Sequence, residues 1–169
     1  MRRLLLILAL SLVSLGTTGH AGAQQAGVTR HFPAGWNLIA MPSLYVYPGI
    51  DVVYTLQPGD SNYQAIILGQ GTRRGFGYWA HVTMDEDVPL TAGSDLPYRV
   101  TAPSGQYIMV GNPSGRFPAT VSGADVVYAY DPATGYLATS SLQPGQGAWA
   151  FSSTGGPATI SLNRAASAP

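Results

Sequence analysis

The chain has no cysteine and no lysine among its 169 residues, and only 9% of it is charged. Without cysteine there is no disulfide framework and no lipid-anchor thiol behind a leader, so the folded part must be held by burial alone. Eight arginines supply all the basic charge against eight carboxylates. Apart from Arg2–Arg3 at the start and Arg73–Arg74 they are scattered, which leaves no basic face for nucleic acid and no polybasic patch for a membrane surface. Helix signals are missing too. Beyond residue 24 no stretch longer than eleven residues lacks both glycine and proline, and none keeps a 3.6-residue period. The single long apolar run, Leu4 to Leu15, is too short for a bilayer, which needs about 20 residues.

That run follows Arg2 and Arg3 and precedes the small-x-small "AGA" of Ala21 to Ala23. The pattern predicts a secretory signal peptide over 1–23 and a mature start at Gln24. The paired arginines admit the twin-arginine route, but "RRLLLIL" favours the general secretory one. The mature chain then carries six arginines and eight carboxylates, a net charge near −2. We expect a secreted, extracellular or periplasmic protein with no membrane insertion after cleavage and a short flexible tail over 163–169.

What the chain has in quantity is glycine, 21 residues, and proline, 13. They punctuate short segments rich in Val, Ile, Tyr, Thr and Trp: "WNLIAM", "DVVYTL", "YQAIIL", "GYWAHV", "YRVTA", "QYIMV", "DVVYAY", "GYLATSSL", "GAWAFS" and "ATISL". Branched and aromatic runs between turn residues predict strands, and many of them predict an all-β sandwich or barrel. "YAYDPATGYL" has the Asp-Pro start and glycine end of a tight hairpin.

The segments recur. Pro33 and Gly35 match Pro103 and Gly105, "DVVY" stands at both Asp51–Tyr54 and Asp125–Tyr128, and "GFGYWA" matches "GQGAWA", pairing Gly77 with Gly147 and Trp79 with Trp149. Ordered matches with small drifts in offset predict a duplicated strand array. Each copy, about 28–93 and 97–162, is too small to bury a sufficient core alone. The expected fold is therefore one β domain over 24–162: two tandem repeats of about five short strands forming a pseudo-twofold antiparallel sandwich or barrel.

No catalytic arrangement emerges. Of three histidines, His20 leaves with the leader, and neither His31 nor His81 adjoins a recognisable nucleophile; "GNPSG" around Ser114 is not a nucleophile elbow. The run Asp85–Asp87 lacks calcium-loop spacing and reads as a solvated turn. "GQGTRRGFG" fails as a phosphate loop, because Arg74 takes the third glycine's place. No cofactor or metal is implied.

Which residues are scaffold and which are function can be sorted by recurrence. Gly77, Trp79, Gly147 and Trp149 recur, so they read as scaffold, with the tryptophans filling the core; Trp36 is placed with them. Phe76 and Tyr78 do not recur, and they share the strand face opposite Trp79. With Trp79 inward they point outward, either to stack on sugar rings or a partner, or to cover the flank of the other half. Tyr45 and Tyr47 join them as candidates. Arg73 and Arg74 belong to the first copy alone, so they are either functional or a solvated loop.

"GWNLIAMP" followed by "GFGYWA" resembles the tandem GWN…GYW β-repeats of bacterial secreted and cell-surface proteins, over about Gly27 to Leu162. The second copy departs from the pattern, with "GQYIM" for "GWNLI" and Ala148 in the tyrosine position. The resemblance implies an extracellular, non-catalytic β module. The function expected is binding of a glycan, wall polymer or protein partner through exposed aromatics. A purely structural or assembly module of the cell surface is the alternative, and a secreted hydrolase ranks third.

Overall fold

A computed structural model of the protein describes residues 27–40, 49–67, 72–90, 97–154 and 158–164. The segment read as a signal peptide, 1–23, lies outside them. Regular structure within them is β-strand without helix. The strands are β1 (Thr29–Phe32), β2 (Gly35–Ala40), β3 (Ile50–Thr55), β4 (Gln64–Ala65), β5 (Gly77–Val82), β6 (Glu86–Pro89) and β7 (Tyr98–Ala102), then β8 (Gln106–Gly111), β9 (Ala119–Ser122), β10 (Val126–Asp131), β11 (Gly135–Ala138), β12 (Ser141–Leu142), β13 (Gly147–Ser152) and β14 (Ala158–Arg164). The expectation of an all-β chain holds.

Four antiparallel sheets result. Two are central, in the orders β2-β5-β3-β4 and β8-β13-β10-β11; two flank them, β1-β6 and β7-β14-β9-β12. The strand order of each is open rather than cyclic, so the strands do not close into a barrel. Three strands escaped the sequence reading: "TRHF", "EDVP" and "ATVS" are short and carry charges or single apolar residues. The "DED" run is not simply a turn. Glu86 and Asp87 pair with Phe32 and His31 across β1-β6, while the Asp85 carboxylate accepts a hydrogen bond from the Ala34 N–H. "YQAIIL" pairs only over Gln64–Ala65, and "GYLATSSL" breaks into β11 and β12.

The central sheets have matching pairings. Leu38, Trp79 and Tyr54 form one row across β2, β5 and β3; Met109, Trp149 and Tyr128 form the corresponding row across β8, β13 and β10. Next to them lie Trp36 with His81 and Tyr107 with Phe151. The sheets join through single bridges, Ile39 with Gln146 and Phe76 with Val110. Backbone hydrogen bonds add to them, Ala40 N–H to Gly145 O at 2.8 Å and Gly111 N–H to Gly75 O at 3.0 Å.

Glycine is required at this junction. A Cβ on Gly77 would lie 2.5 Å from the Val110 carbonyl oxygen, and one on Gly147 would lie 2.6 Å from that of Ile39. Both distances are far inside van der Waals contact, so only a residue without a side chain allows the backbones this close.

One apolar core runs through the whole array. It takes Ile39, Val53, Tyr78 and Ala80 from one central sheet and Val110, Val127, Ala148 and Ala150 from the other, with Phe32, Val88, Val100 and Val121 from the flanking sheets. The inward residues of β13 are small because the sheets approach closely there. Tyr78, the largest inward residue of β5, is only 1% exposed. Its hydroxyl is kept satisfied by the Arg73 backbone, accepting from the N–H and donating to the carbonyl at 3.1 Å.

Candidate ligand-binding face

Strand alternation puts Tyr78 and Trp79 on opposite faces, as expected, but the faces are exchanged. Phe76 (9% exposed) and Tyr78 are buried, and burial pushes the Tyr78 phenol pKa up. Trp79 and Trp149 are half-buried on the outer side, and Trp36 is 42% exposed. The correction has a physical reason. Beside the glycine junction the inner side has no room for an indole on β13, where Ala148 and Ala150 are fully enclosed, so the large rings must go outward.

The outer faces of both central sheets are consequently aromatic. On the first, the Trp36 ring meets Trp79 edge-on at 6.5 Å and 89°, and it also packs on Tyr54 at 6.0 Å and His81 at 5.1 Å. On the second, Tyr107 meets Trp149 edge-on at 6.3 Å and 88°, and Phe151 at 4.8 Å. Tyr107 thus stands in the place of Trp36. Trp36 stands two residues before Leu38 and Tyr107 two before Met109, the residues paired with Trp79 and Trp149, so the slot that seemed to be lost at "GQYIM" is aromatic after all.

The faces are stitched together by side chains from the two hairpins. Tyr130, at the end of β10, meets Trp79 of the first sheet at 4.9 Å and Tyr136 of its own hairpin at 5.3 Å. In return Tyr63, before β4, meets Trp149 of the second sheet at 6.2 Å. Burial against the face raises the Tyr63 phenol pKa, the hydrogen bond from Trp79 partly opposes this, and the neighbouring Tyr136 adds to the rise. Leu56 reaches across likewise: its carbonyl accepts from the Met109 N–H at 3.4 Å, and its N–H meets the Met109 sulfur at 3.2 Å.

Two clefts follow from this crossing. One, of about 470 Å³, is lined by Trp36, Tyr54, Tyr63, Trp79, Tyr130 and Tyr136. The other, of about 440 Å³, is lined by Leu56, Tyr107, Tyr128, Tyr136 and Trp149. Tyr136 borders both. Each cleft is walled in part by residues of the opposite half.

The remaining expected site residues fall elsewhere. Arg73 donates to the Gln57 side chain at 2.9 Å and lies over the Phe76 ring, 4.8 Å from its centroid. Arg74 is exposed, and neither arginine lines a cleft. Tyr45 and Tyr47 lie outside the described residues. The residues missed were Tyr54, Tyr63, Tyr107, Tyr128, Tyr130, Tyr136 and Phe151. A signal for three of them was present: in "YAYDPATGYL" Tyr128 and Tyr130 are two apart, and a tight turn at Asp131–Gly135 brings Tyr136 opposite Tyr130.

The described aspartates are engaged locally. Asp51 and Asp87 meet His81 and His31 at 3.0 and 2.9 Å. Asp60 accepts from the Gln57 N–H. Asp131 caps its turn by accepting from the Thr134 and Ala133 N–H groups, which lowers its pKa, as the Ser153 hydroxyl and N–H lower that of Asp125. Among the described residues no cluster of three His, Cys, Asp or Glu forms a metal-binding group. Comparison of the chain with protein-family models, with curated proteins and with solved structures found no match in any of the three.

Proposed function

We propose that this protein is a secreted, non-catalytic β module that binds a polysaccharide on its aromatic face. The observation that carries the reading is the pair of adjoining, solvent-open clefts walled by tryptophan and tyrosine rings. A contiguous exposed aromatic patch is costly to leave bare in water and marks an interaction surface. Sugar rings present flat C–H faces that stack on such rings, whereas the described aspartates are committed to turns, backbone N–H groups and histidines. Export by the N-terminal signal and the resemblance to GWN…GYW repeats agree with a cell-surface or extracellular setting. Internal duplication belongs to the same proposal: equal strand orders, equal ring rows and paired glycines at the junction support it.

Retention of the mature protein, Gln24 onward, on a panel of insoluble cell-wall and polysaccharide preparations tests the reading. Base–aromatic stacking is worth about 1–3 kcal/mol per ring, and sugar stacking is taken as comparable. On that scale Trp36→Ala/Trp79→Ala should weaken retention tenfold or more with the fold intact, while Arg73→Ala/Arg74→Ala should leave it unchanged. Retention on no preparation defeats the proposal. If the same tryptophan variant instead dissolves a concentration-dependent dimer, the face serves assembly.

A further inference from the structure

We propose that the ligand is one extended, uncharged chain of β-1,4-linked pyranoses lying across both clefts at once. The inference rests on the polysaccharide reading above and specifies the ligand class. Three features of the face lead to it.

The first is continuity. Tyr136 borders both clefts, and Tyr63, which lines the first cleft with Trp79, also touches Trp149 of the second. Successive rings from Trp36 through Trp79 and Tyr130 to Tyr136 are 4.9–6.5 Å apart and turned 63–89° from one another, one unbroken aromatic wall that ends on the ring shared with the second cleft. An unbroken wall suits one continuous chain better than two separated short ligands.

The second is charge. The described lining of both clefts is Trp, Tyr and one Leu, with no arginine or histidine to meet a carboxylate or sulfate. An acidic polymer would lose hydration there without gaining a partner, which disfavours it. An uncharged sugar has only C–H faces and hydroxyls to place, and the tyrosine hydroxyls and indole N–H groups can meet the latter.

The third is shape. Equatorially linked pyranoses form an extended chain with flat faces, whereas axial links coil. The outer surfaces of two joined sheets favour the extended form. Because hairpin residues cross over, neither half makes a complete cleft. A chain that spans both gains the second cleft as an intramolecular event, and its affinity rises without new contact chemistry.

Calorimetric titration of the mature protein with cellotriose, cellohexaose, N-acetylchitotriose, N-acetylchitohexaose and hexagalacturonate tests this. The expected result is that a neutral hexamer binds one per protein, at least about tenfold tighter than its trimer, which binds two per protein. Hexagalacturonate should bind at least about tenfold more weakly. In Trp149→Ala, and in the milder Tyr107→Ala, hexamer affinity should drop to that of the trimer, with one trimer site kept. A hexamer that binds twice per protein with trimer affinity overturns the inference, as does preference for the charged hexamer or indifference to both variants. If none of these oligosaccharides binds while the protein is retained on another polysaccharide, the ligand class is wrong and the functional reading stands. If no saccharide binds in either assay, the functional reading itself fails.

Discussion

At the scale of single residues, the decisive contrast is between neighbours. Tyr78 and Trp79 are adjacent in sequence, yet one is enclosed in the core and the other walls a cleft. Emptying a fully buried aromatic site costs about 3–5 kcal/mol, so Tyr78→Ala should cost that much. Trp79 loses only part of its ring area to folding, and Trp79→Ala should cost about 1–2 kcal/mol. Denaturant unfolding of both variants measures the difference, and a Trp79 variant as damaged as the Tyr78 variant would return the indole to the core. The alternation that separated these two side chains was legible in the sequence, because strand period is two. Which face points inward was not. That depends on how closely a second sheet approaches, and ring volume alone favoured the wrong answer. Recurrence did not decide it either, since Trp79 and Trp149 correspond in sequence and both stand half-buried on the outer faces.

At the scale of elements, turns and glycines were read more securely than strand partners. The Asp131–Gly135 hairpin forms where Asp-Pro and Gly placed it, with Gly135 at φ 82° and the Asp131 carboxylate holding two backbone N–H groups. Gly77 and Gly147 were recognised as scaffold, and the junction supplies the cause. Alanine at either position must push a backbone carbonyl aside, an overpacking cost of about 1–3 kcal/mol. Gly77→Ala and Gly147→Ala should therefore lower the unfolding midpoint by similar amounts; if one is silent, the two sides of the junction are not equivalent. Strands β1, β6 and β9 were invisible because their pairing comes from partners more than twenty residues away, not from local apolar alternation. The correspondence of Tyr107 with Trp36 was hidden for the same reason. A shared glycine aligned the letters, but the register with β13 decides which side chain faces outward.

At the scale of the whole molecule, the two central sheets depend on each other twice, through a common core beneath and through crossed hairpin residues above. The small size of each half and the lack of disulfides foretold the first dependence. The second could not be read from local pattern, since Tyr63 and Tyr130 each find their ring partners in the other half. All three tryptophans of the chain, Trp36, Trp79 and Trp149, line these clefts. Their fluorescence therefore reports on the proposed binding face and on nothing else. The most direct measurement is tryptophan emission and its quenching by acrylamide, with and without a soluble form of the polysaccharide that retains the protein. Binding through the aromatic face predicts a blue shift and loss of quenching as the sugar covers the rings. Saturated binding with unchanged emission and undiminished quenching would place the ligand elsewhere and contradict the account.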